Sequence, residues 1–93
     1  MPFEWDAAKN EINKIKHGIS FEEACLIFRG EVLSGVDNRR DYGEPRILSI
    51  GAIDRIVVVV VHTDRMGATR IISARLANRR ERQKYNEHLG RPA

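Results

Sequence analysis

The chain has 93 residues, of which 42% are hydrophobic, enough for one small domain with a modest core. Charged residues make up 31% and mean hydropathy is −0.42. The longest uninterrupted apolar run, Ile56 to Val61, is far too short for a transmembrane helix, so a membrane span is excluded. The single cysteine, Cys25, excludes an internal disulfide, and no secretory signal pattern opens the chain. We therefore expect one domain over residues 1–93, in a reducing cytoplasm.

The net charge of +3 is unevenly distributed along the chain. Residues 1–54 carry seven bases and ten acids, whereas residues 55–93 carry nine bases, eight of them arginine, and only three acids. The planar arginine side chain binds phosphate through two parallel hydrogen bonds, so this bias favours a surface for nucleic acid or another polyanion. The alternative interpretation is a solvated helix face that keeps a small protein soluble.

The first predicted helix begins after Asp6, a natural N-cap, and runs to Lys16, with Gly18 ending it in a left-handed conformation. Its residues follow the pattern of an amphipathic helix. The apolar stripe is formed by Ala8, Ile12 and Ile15. The opposite, polar face is formed by Lys9, Asn13 and Lys16.

A second helix is predicted from Ser20, which has the spacing of a capping box with Glu23. Ile19 and Ala24 are placed as its hydrophobic staple. Its apolar residues recur at helical spacing as far as Gly30, and they are Phe21, Ala24, Cys25 and Phe28.

From Glu31 onward apolar residues tend to recur at every second position, which is the period of a β-strand. Four strands are predicted: an edge strand over residues 32–36, then 46–52, 56–62 and 69–75, joined by short turns that favour an antiparallel meander. Residues 56–62 are β-branched without alternation, which is typical of a strand covered on both faces. Met1 to Trp5 is compatible with a further short strand.

The last helix is predicted from Asn78, which forms a capping box with Glu81, to about Leu89. This helix has few apolar residues, and Tyr85 and Leu89 share a face with Arg82, so it either lies exposed or presents its charges. The predicted fold is α+β, with two N-terminal helices, a four-stranded, largely antiparallel sheet and a C-terminal helix. The helices are expected to cover one face of the sheet.

Four groups of residues, in the family's order and spacing, resemble the BrnT family. They are Phe3-Glu4-Trp5-Asp6 with Lys9, Asn13, Lys16-His17-Gly18 and Phe21; Gly43-Glu44 with Arg46; Arg70-Ile71-Ile72-Ser73-Ala74-Arg75; and Arg80-Glu81-Arg82 with Tyr85. The resemblance spans nearly the whole chain. It implies a RelE-like fold and a toxin of a bacterial type II toxin–antitoxin module, an endoribonuclease that cleaves mRNA and inhibits translation.

The resemblance also implies partners. These are an RNA substrate, a BrnA-type antitoxin with a ribbon-helix-helix domain, and promoter DNA bound through that antitoxin. We expect the toxin to form a hetero-oligomer with an antitoxin dimer and not to associate with a membrane. The antitoxin is expected to cover the basic cleft formed by the arginine-rich part of the chain. Two other functions fit the residues: a non-catalytic nucleic-acid-binding regulator, and an inactive toxin-like protein that only binds an antitoxin.

Cleavage of RNA by its own 2′-hydroxyl needs a base for that hydroxyl, an acid for the leaving oxygen and cations for the phosphorane. It leaves a 2′,3′-cyclic phosphate and needs no cofactor. A metal site is not expected, because the three histidines lack metal-ligand spacing. The alternative is a divalent ion held by carboxylates, those of Asp37, Asp41 and Glu44.

Arg75, at the end of a predicted central strand, is the expected phosphate or transition-state cation; the alternative is an ion pair with Glu81 or Glu44. His17 has a side chain suited to acid–base work at neutral pH, or it stabilises the end of its helix. Glu81 caps the last helix and has a possible second role in orienting an arginine.

Tyr85 is a base-stacking platform, an acid–base hydroxyl or an anchor for the last helix. Lys9 is added to the catalytic candidates because it matches the opening motif of the family. By strand alternation, Arg70 is expected on the face opposite to that of Arg75. The candidate RNA-binding residues are Arg70, Arg79, Arg80, Arg82 and Arg46.

Overall fold

A computed structural model describes residues 2–38 and 43–90. In chain order the elements are β1 (Phe3–Glu4), α1 (Ala7–His17), α2 (Phe21–Ala24) continuing as a 3₁₀ helix (Cys25–Arg29), β2 (Leu33–Val36), β3 (Ile47–Ile53), β4 (Ile56–Arg65), β5 (Ala68–Leu76) and α3 (Arg79–His88). The α+β class is confirmed. The sheet of the described residues has five strands rather than four, because the short β1 pairs with its edge. None of the helices in these two ranges is long and apolar enough to cross a membrane.

The strand order is β1-β5-β4-β3-β2. β1 pairs with β5 in parallel, and the other neighbours are antiparallel, as the short turns predict. β4 lies in the middle and is buried on both faces from Val58 to Thr63, which confirms the prediction made from its unbroken β-branched run. β2 forms the far edge, also as predicted.

Each face of the sheet has its own hydrophobic cluster. Val58 and Val60 of β4 pack against Phe21 of α2, whereas Val59 packs against Tyr85 of α3. We call these two sides the α1 face and the α3 face. The prediction that all helices cover one face is therefore wrong, because a single buried aromatic residue is enough to attach the polar helix α3 to the second side.

The helix caps are as predicted. The Asp6 side chain accepts a hydrogen bond from the backbone N–H of Lys9 at 3.0 Å, and Gly18 has a left-handed φ of 73°. Capping boxes begin α2, between Ser20 and Glu23, and α3. These motifs are local, and each satisfies backbone N–H groups that the first helical turn leaves without a partner.

The orientation of α1 is the reverse of what its amphipathic pattern predicts. Its buried residues are Asn10 and Asn13, each 6% exposed, whereas Ile12 and Ile15 are 62% and 86% exposed. The hydrophobic side of the helix therefore faces outward, and its attachment to the sheet is polar.

Two asparagine side chains make that attachment. The Asn13 amide donates to the backbone carbonyls of Ile19 and Ala74, both at 2.9 Å, and accepts from the N–H of Ala74 at 3.2 Å. Asn10 accepts from the N–H of Phe21 at 2.8 Å. Buried polar groups are stable in a core when they are hydrogen-bonded, and here the bonds join α1 to both β5 and α2.

The second predicted helix is α-helical only over its first turn. It tightens into the 3₁₀ segment before Gly30, so its predicted limits are right but its helix type is not. Ile27 of this segment packs against Gly51 of β3, where a Cβ would lie only 2.7 Å from the Cβ of Ile27. A glycine at this position therefore allows the segment to approach the sheet closely.

A β-bulge interrupts the pairing of β4 with β5. Val61 pairs with Ser73 and the next residue, His62, pairs with Ile71, which leaves Ile72 as the extra residue. On both sides of Ile72 the side chains of β5 alternate between the two faces of the sheet, but the extra residue shifts this alternation by one position.

His62 is buried beneath the α-helical layer, with its Nε2 2.7 Å from Oγ of Ser49. Burial lowers the pKa of His62 from its ordinary value of 6.5, and the charge of Asp64 opposes this shift without cancelling it. A histidine that resists protonation when folded stabilises the protein above its unfolded pKa, and this contribution is lost as the pH falls below it.

We therefore expect the free energy of unfolding to decrease as the pH is lowered from about 7.5 to about 5.5, and His62→Gln to remove part of that decrease. The measurement is urea unfolding at several pH values within this range. Met66→Gln, which places the same glutamine at a fully exposed position without a titratable group, is the control and should keep the wild-type slope. A slope in His62→Gln equal to that of the wild type would contradict the prediction.

Candidate nucleic-acid interface

Arg70 and Arg75 lie on the same face of the sheet. Residues paired directly opposite each other share a face, and Arg75 pairs with Val59 while Arg70 pairs with Thr63. Val59 and Thr63 are four residues apart on β4 and share the α3 face, about 13 Å from one another. The prediction that the two arginines point to opposite faces is wrong, because simple alternation does not account for the bulge at Ile72.

Arg46 joins them on this face. It stands immediately before β3, two residues before Leu48, which packs in the cluster of the α3 face. The β3–β4 register, extended by one residue, sets Arg46 beside Thr63, and the Thr63 hydroxyl donates to the carbonyl of Pro45 at 2.6 Å. Arg46 and Arg70 thus flank β4 on its two neighbouring strands, with backbones about 10 Å apart.

A bidentate ion pair fixes Arg75 at the junction of β5 and α3. Its Nη1 and Nη2 donate to Oε1 and Oε2 of Glu81, both at 2.8 Å. Oε1 of Glu81 also accepts from the backbone N–H of Asn78 in the capping box, at 2.9 Å. The predicted alternative of an ion pair is thus observed with Glu81, and the predicted orienting role of this glutamate fits the geometry. A third of the Arg75 side chain remains exposed.

The first turn of α3 is rich in arginine. Arg79 and Arg80 are exposed, and Nη1 of Arg82 donates to the carbonyl of Ala77 at 2.9 Å. A cation near a helix N-terminus opposes the helix dipole, typically by about 0.3–1 kcal/mol. At this position the arginines slightly destabilise the helix. They are therefore better explained by a function at the protein surface than by a contribution to the stability of the fold.

Tyr85 anchors α3 to the sheet. Its side chain is only 4% exposed, packs with Ile50 and Val59, and donates its hydroxyl to the carbonyl of Glu31 at 2.8 Å. Of the three predicted roles for this residue, the geometry matches that of an anchor. A buried ring with an engaged hydroxyl offers no open face on which a base could stack.

His17 and Lys9 are not brought together with Arg75. Both belong to α1, which packs on the other side of the sheet. His17 lines a cavity of about 210 Å³ with Ile56 and Leu76, and Lys9 is exposed on the first turn of the helix. The five predicted catalytic residues thus divide between the two faces.

Glu4 belongs to this region although its sequence context does not single it out. Its Oε2 accepts from Nη1 of Arg70 at 3.0 Å, across 66 positions of sequence. The parallel pairing of β1 with β5 sets the two residues side by side. The one sequence feature that could have indicated Glu4 is its place in the opening motif. The residues around β1 do not indicate which strand it pairs with.

In the ranges 2–38 and 43–90 no group of three or more histidine, cysteine, aspartate and glutamate side chains is arranged to hold a metal ion. Of the three carboxylates named as an alternative metal site, Asp41 lies outside the described residues. Asp37 is buried, and its backbone N–H donates to the carbonyl of Arg46 at 2.8 Å.

Residues 5–81 match the family model described as ribonuclease toxin, BrnT, of type II toxin–antitoxin system. The chain belongs to the BrnT family. It is accordingly a ribonuclease toxin whose function involves RNA and an antitoxin. The segment that matches the BrnT model contains the candidate site residues Arg46, Arg70, Arg75 and Glu81, whereas Tyr85 lies beyond it. A search of curated proteins finds no match.

Proposed function

We propose that this chain is a metal-independent endoribonuclease that binds mRNA on the α3 face and cleaves it by attack of the 2′-hydroxyl on the adjacent phosphorus. Cleavage would stop translation in the bacterial cytoplasm. The observation that carries the proposal is the convergence of Arg46, Arg70 and Arg75 on one face, beside the arginine-rich start of α3.

Arg75 is proposed to stabilise the phosphorane. Its guanidinium is permanently charged, and the two hydrogen bonds to Glu81 hold it in one orientation before RNA binds. A cation that is already oriented needs no reorganisation as charge develops on the phosphorane, and such stabilisation often contributes more to the rate than any other single effect. Glu81 then acts as a positioning residue, joined to Arg75 and to the backbone of α3.

The other arginines are proposed to bind phosphates along the RNA. Arg46 and Arg70 lie at the far end of the α3 face, and Arg79, Arg80 and Arg82 lie on the first turns of α3 beside Arg75. Each phosphate contact steepens the dependence of RNA binding on salt concentration. His17 and Lys9 take no part in this proposal, since the sheet separates them from the α3 face, and Tyr85 serves as the anchor.

We also propose a RelE-like fold and a BrnA-type antitoxin whose ribbon-helix-helix domain binds promoter DNA. The support is the family membership together with an antiparallel sheet that carries a C-terminal helix beside a basic face. The toxin and an antitoxin dimer would then form a hetero-oligomer.

The proposal is tested by incubating the purified chain with RNA in excess EDTA. We expect cleavage to continue at an undiminished rate and to leave 2′,3′-cyclic phosphate ends, detected by mass spectrometry of the fragments, because side-chain cations rather than a metal ion stabilise the phosphorane in the proposed reaction. Loss of cleavage in EDTA with recovery on adding Mg²⁺ would show a metal-dependent reaction instead. RNA binding without any cleavage would favour the non-catalytic regulator.

A further inference from the structure

The outward side of α1 is apolar. Ile12 and Ile15 stand 62% and 86% exposed on a helix whose polar side is buried. They are three residues apart and so lie on one side of the helix, and Ala8, one turn before Ile12, extends the same stripe. An amphipathic helix normally turns this side toward the core.

Two more exposed aliphatic residues lie on the same side of the molecule. Leu76 pairs with Val58, a residue of the α1-face cluster, and Ile56 precedes Val58 by two positions on β4, so both point to the α1 face. They are 57% and 56% exposed, and they line a cavity of about 210 Å³ together with His17, two residues beyond Ile15.

Single exposed hydrophobic residues are ordinary on protein surfaces, but their concentration on one side is typical of a surface that binds a partner. We call Ile12, Ile15, Ile56 and Leu76 the aliphatic patch. The arginines of the α3 face lie on the other side of the sheet, so the patch and the proposed RNA surface do not overlap.

The charges beside the patch indicate what kind of partner fits it. Lys9, Lys14 and Lys16 are exposed on α1, where Glu11, paired to Lys14 at 3.5 Å, is the only acid within the helix. Glu23 also lines the cavity, but its carboxylate accepts from the backbone N–H of Ser20 in the capping box. A partner with carboxylates around an apolar strip complements this surface. A second copy of the chain does not, because the same lysines would face one another across a two-fold axis.

We infer that the aliphatic patch is the docking surface for the antitoxin, which binds it through an acidic segment with an apolar strip. The inference rests on the proposed function only in taking the antitoxin as the partner. It places the toxin's two ligands on opposite faces, with RNA on the α3 face and the docked antitoxin segment on the α1 face. This docking site differs from the expectation that the antitoxin covers the basic cleft.

The test is the double variant Ile12→Glu/Ile15→Glu, with the purified cognate antitoxin as the probe in calorimetric titration. Both side chains are exposed, so the variant should fold. We expect its Kd for the antitoxin to rise at least about 100-fold, since two apolar anchors are lost and two repelling charges gained. Cleavage of RNA by the free variant should equal that of the wild type.

Met66→Glu is the matched control, because Met66 is fully exposed in the turn between β4 and β5, outside the patch. It adds one of the two negative charges of the double variant, outside the patch, and should leave the Kd unchanged. The role of the lysines beside the patch is tested by Lys9→Glu/Lys16→Glu, which should weaken antitoxin binding about 10-fold, whereas Lys9→Arg/Lys16→Arg should not.

A wild-type Kd in Ile12→Glu/Ile15→Glu would overturn the inference. So would a patch that holds two copies of the chain together, seen as a dimer that the double variant converts to a monomer without any change in antitoxin affinity. Binding to vesicles of anionic phospholipid that is lost in the variant, again with unchanged antitoxin affinity, would overturn it as well. If the wild type cleaves no RNA but the patch controls antitoxin binding, the proposed reaction fails and this inference stands.

Discussion

Arg75→Ala is expected to reduce RNA cleavage by about 10²–10³-fold, the usual effect of removing one preorganised group that stabilises transition-state charge. The loss should appear mainly in kcat, because Arg46, Arg70 and the arginines of α3 continue to hold the RNA. Single-turnover cleavage of a defined RNA, measured with saturating enzyme, is the readout.

Three variants separate this role from a structural one. Arg75→Lys keeps the charge but not the fork that matches the Glu81 carboxylate, so it should recover only a small part of the activity. Glu81→Gln keeps an acceptor for the N–H of Asn78 but loses the ion pair, and it should lower kcat with little change in KM. Arg55→Ala removes an equal charge from the exposed β3–β4 turn and should cleave like the wild type.

Folding is monitored by circular dichroism of each variant. If Arg75→Ala is folded and cleaves within a few-fold of the wild-type rate, Arg75 serves only the junction of β5 with α3. The charge stabilisation would then have to come from another arginine of the α3 face.

Asn13→Ala should destabilise the fold by about 3 kcal/mol, because it removes three buried hydrogen bonds and leaves backbone groups of Ile19 and Ala74 without a partner. β1 pairs with β5 only as far as Arg70, so within the described residues no strand continues along that edge. The Asn13 amide donates to and accepts from Ala74 as a neighbouring strand would.

The measurement is urea unfolding followed by the fluorescence of Trp5, whose ring packs edge-on against Phe21 with centroids 6.3 Å apart. Ile12→Ala, on the same helix but exposed, is the control and should change stability by less than about 0.5 kcal/mol. A loss of under about 1 kcal/mol in Asn13→Ala would mean that water replaces the lost hydrogen bonds and that the amide is not the main attachment of α1.

The sequence is informative where the interactions are local. Asp6, Ser20 and Asn78 each cap a helix through a residue three positions away, and the β-branched run of β4 requires cover on both faces whatever its neighbours are. The pairing of Arg75 with Glu81 can also be predicted from the sequence, because only six positions and one turn separate the two residues.

What could not be predicted depends on distant residues. The buried side of α1 is decided by Asn13 and Ala74, 61 positions apart, and amide hydrogen bonds there outweigh the hydrophobic pattern of the helix. The face that carries α3 is decided by the fit of Tyr85 against Ile50 and Val59. The sequence around His17 therefore suggests a catalytic role, although the sheet separates this histidine from Arg75 and the α3 face.

The extra residue at Ile72 has a consequence for comparing this chain with its relatives. A strand is read in steps of two, and the bulge shifts that reading by one position, so the side chains before it are assigned to faces differently from those after it. A relative that lacks this one residue would pair regularly and still present the side chain equivalent to Arg70 on the α3 face, whereas a relative of equal length without the bulge would turn it toward the opposite face. A single-residue gap at the bulge can thus leave the surface unchanged, whereas an ungapped alignment of identical residues can conceal a change of face.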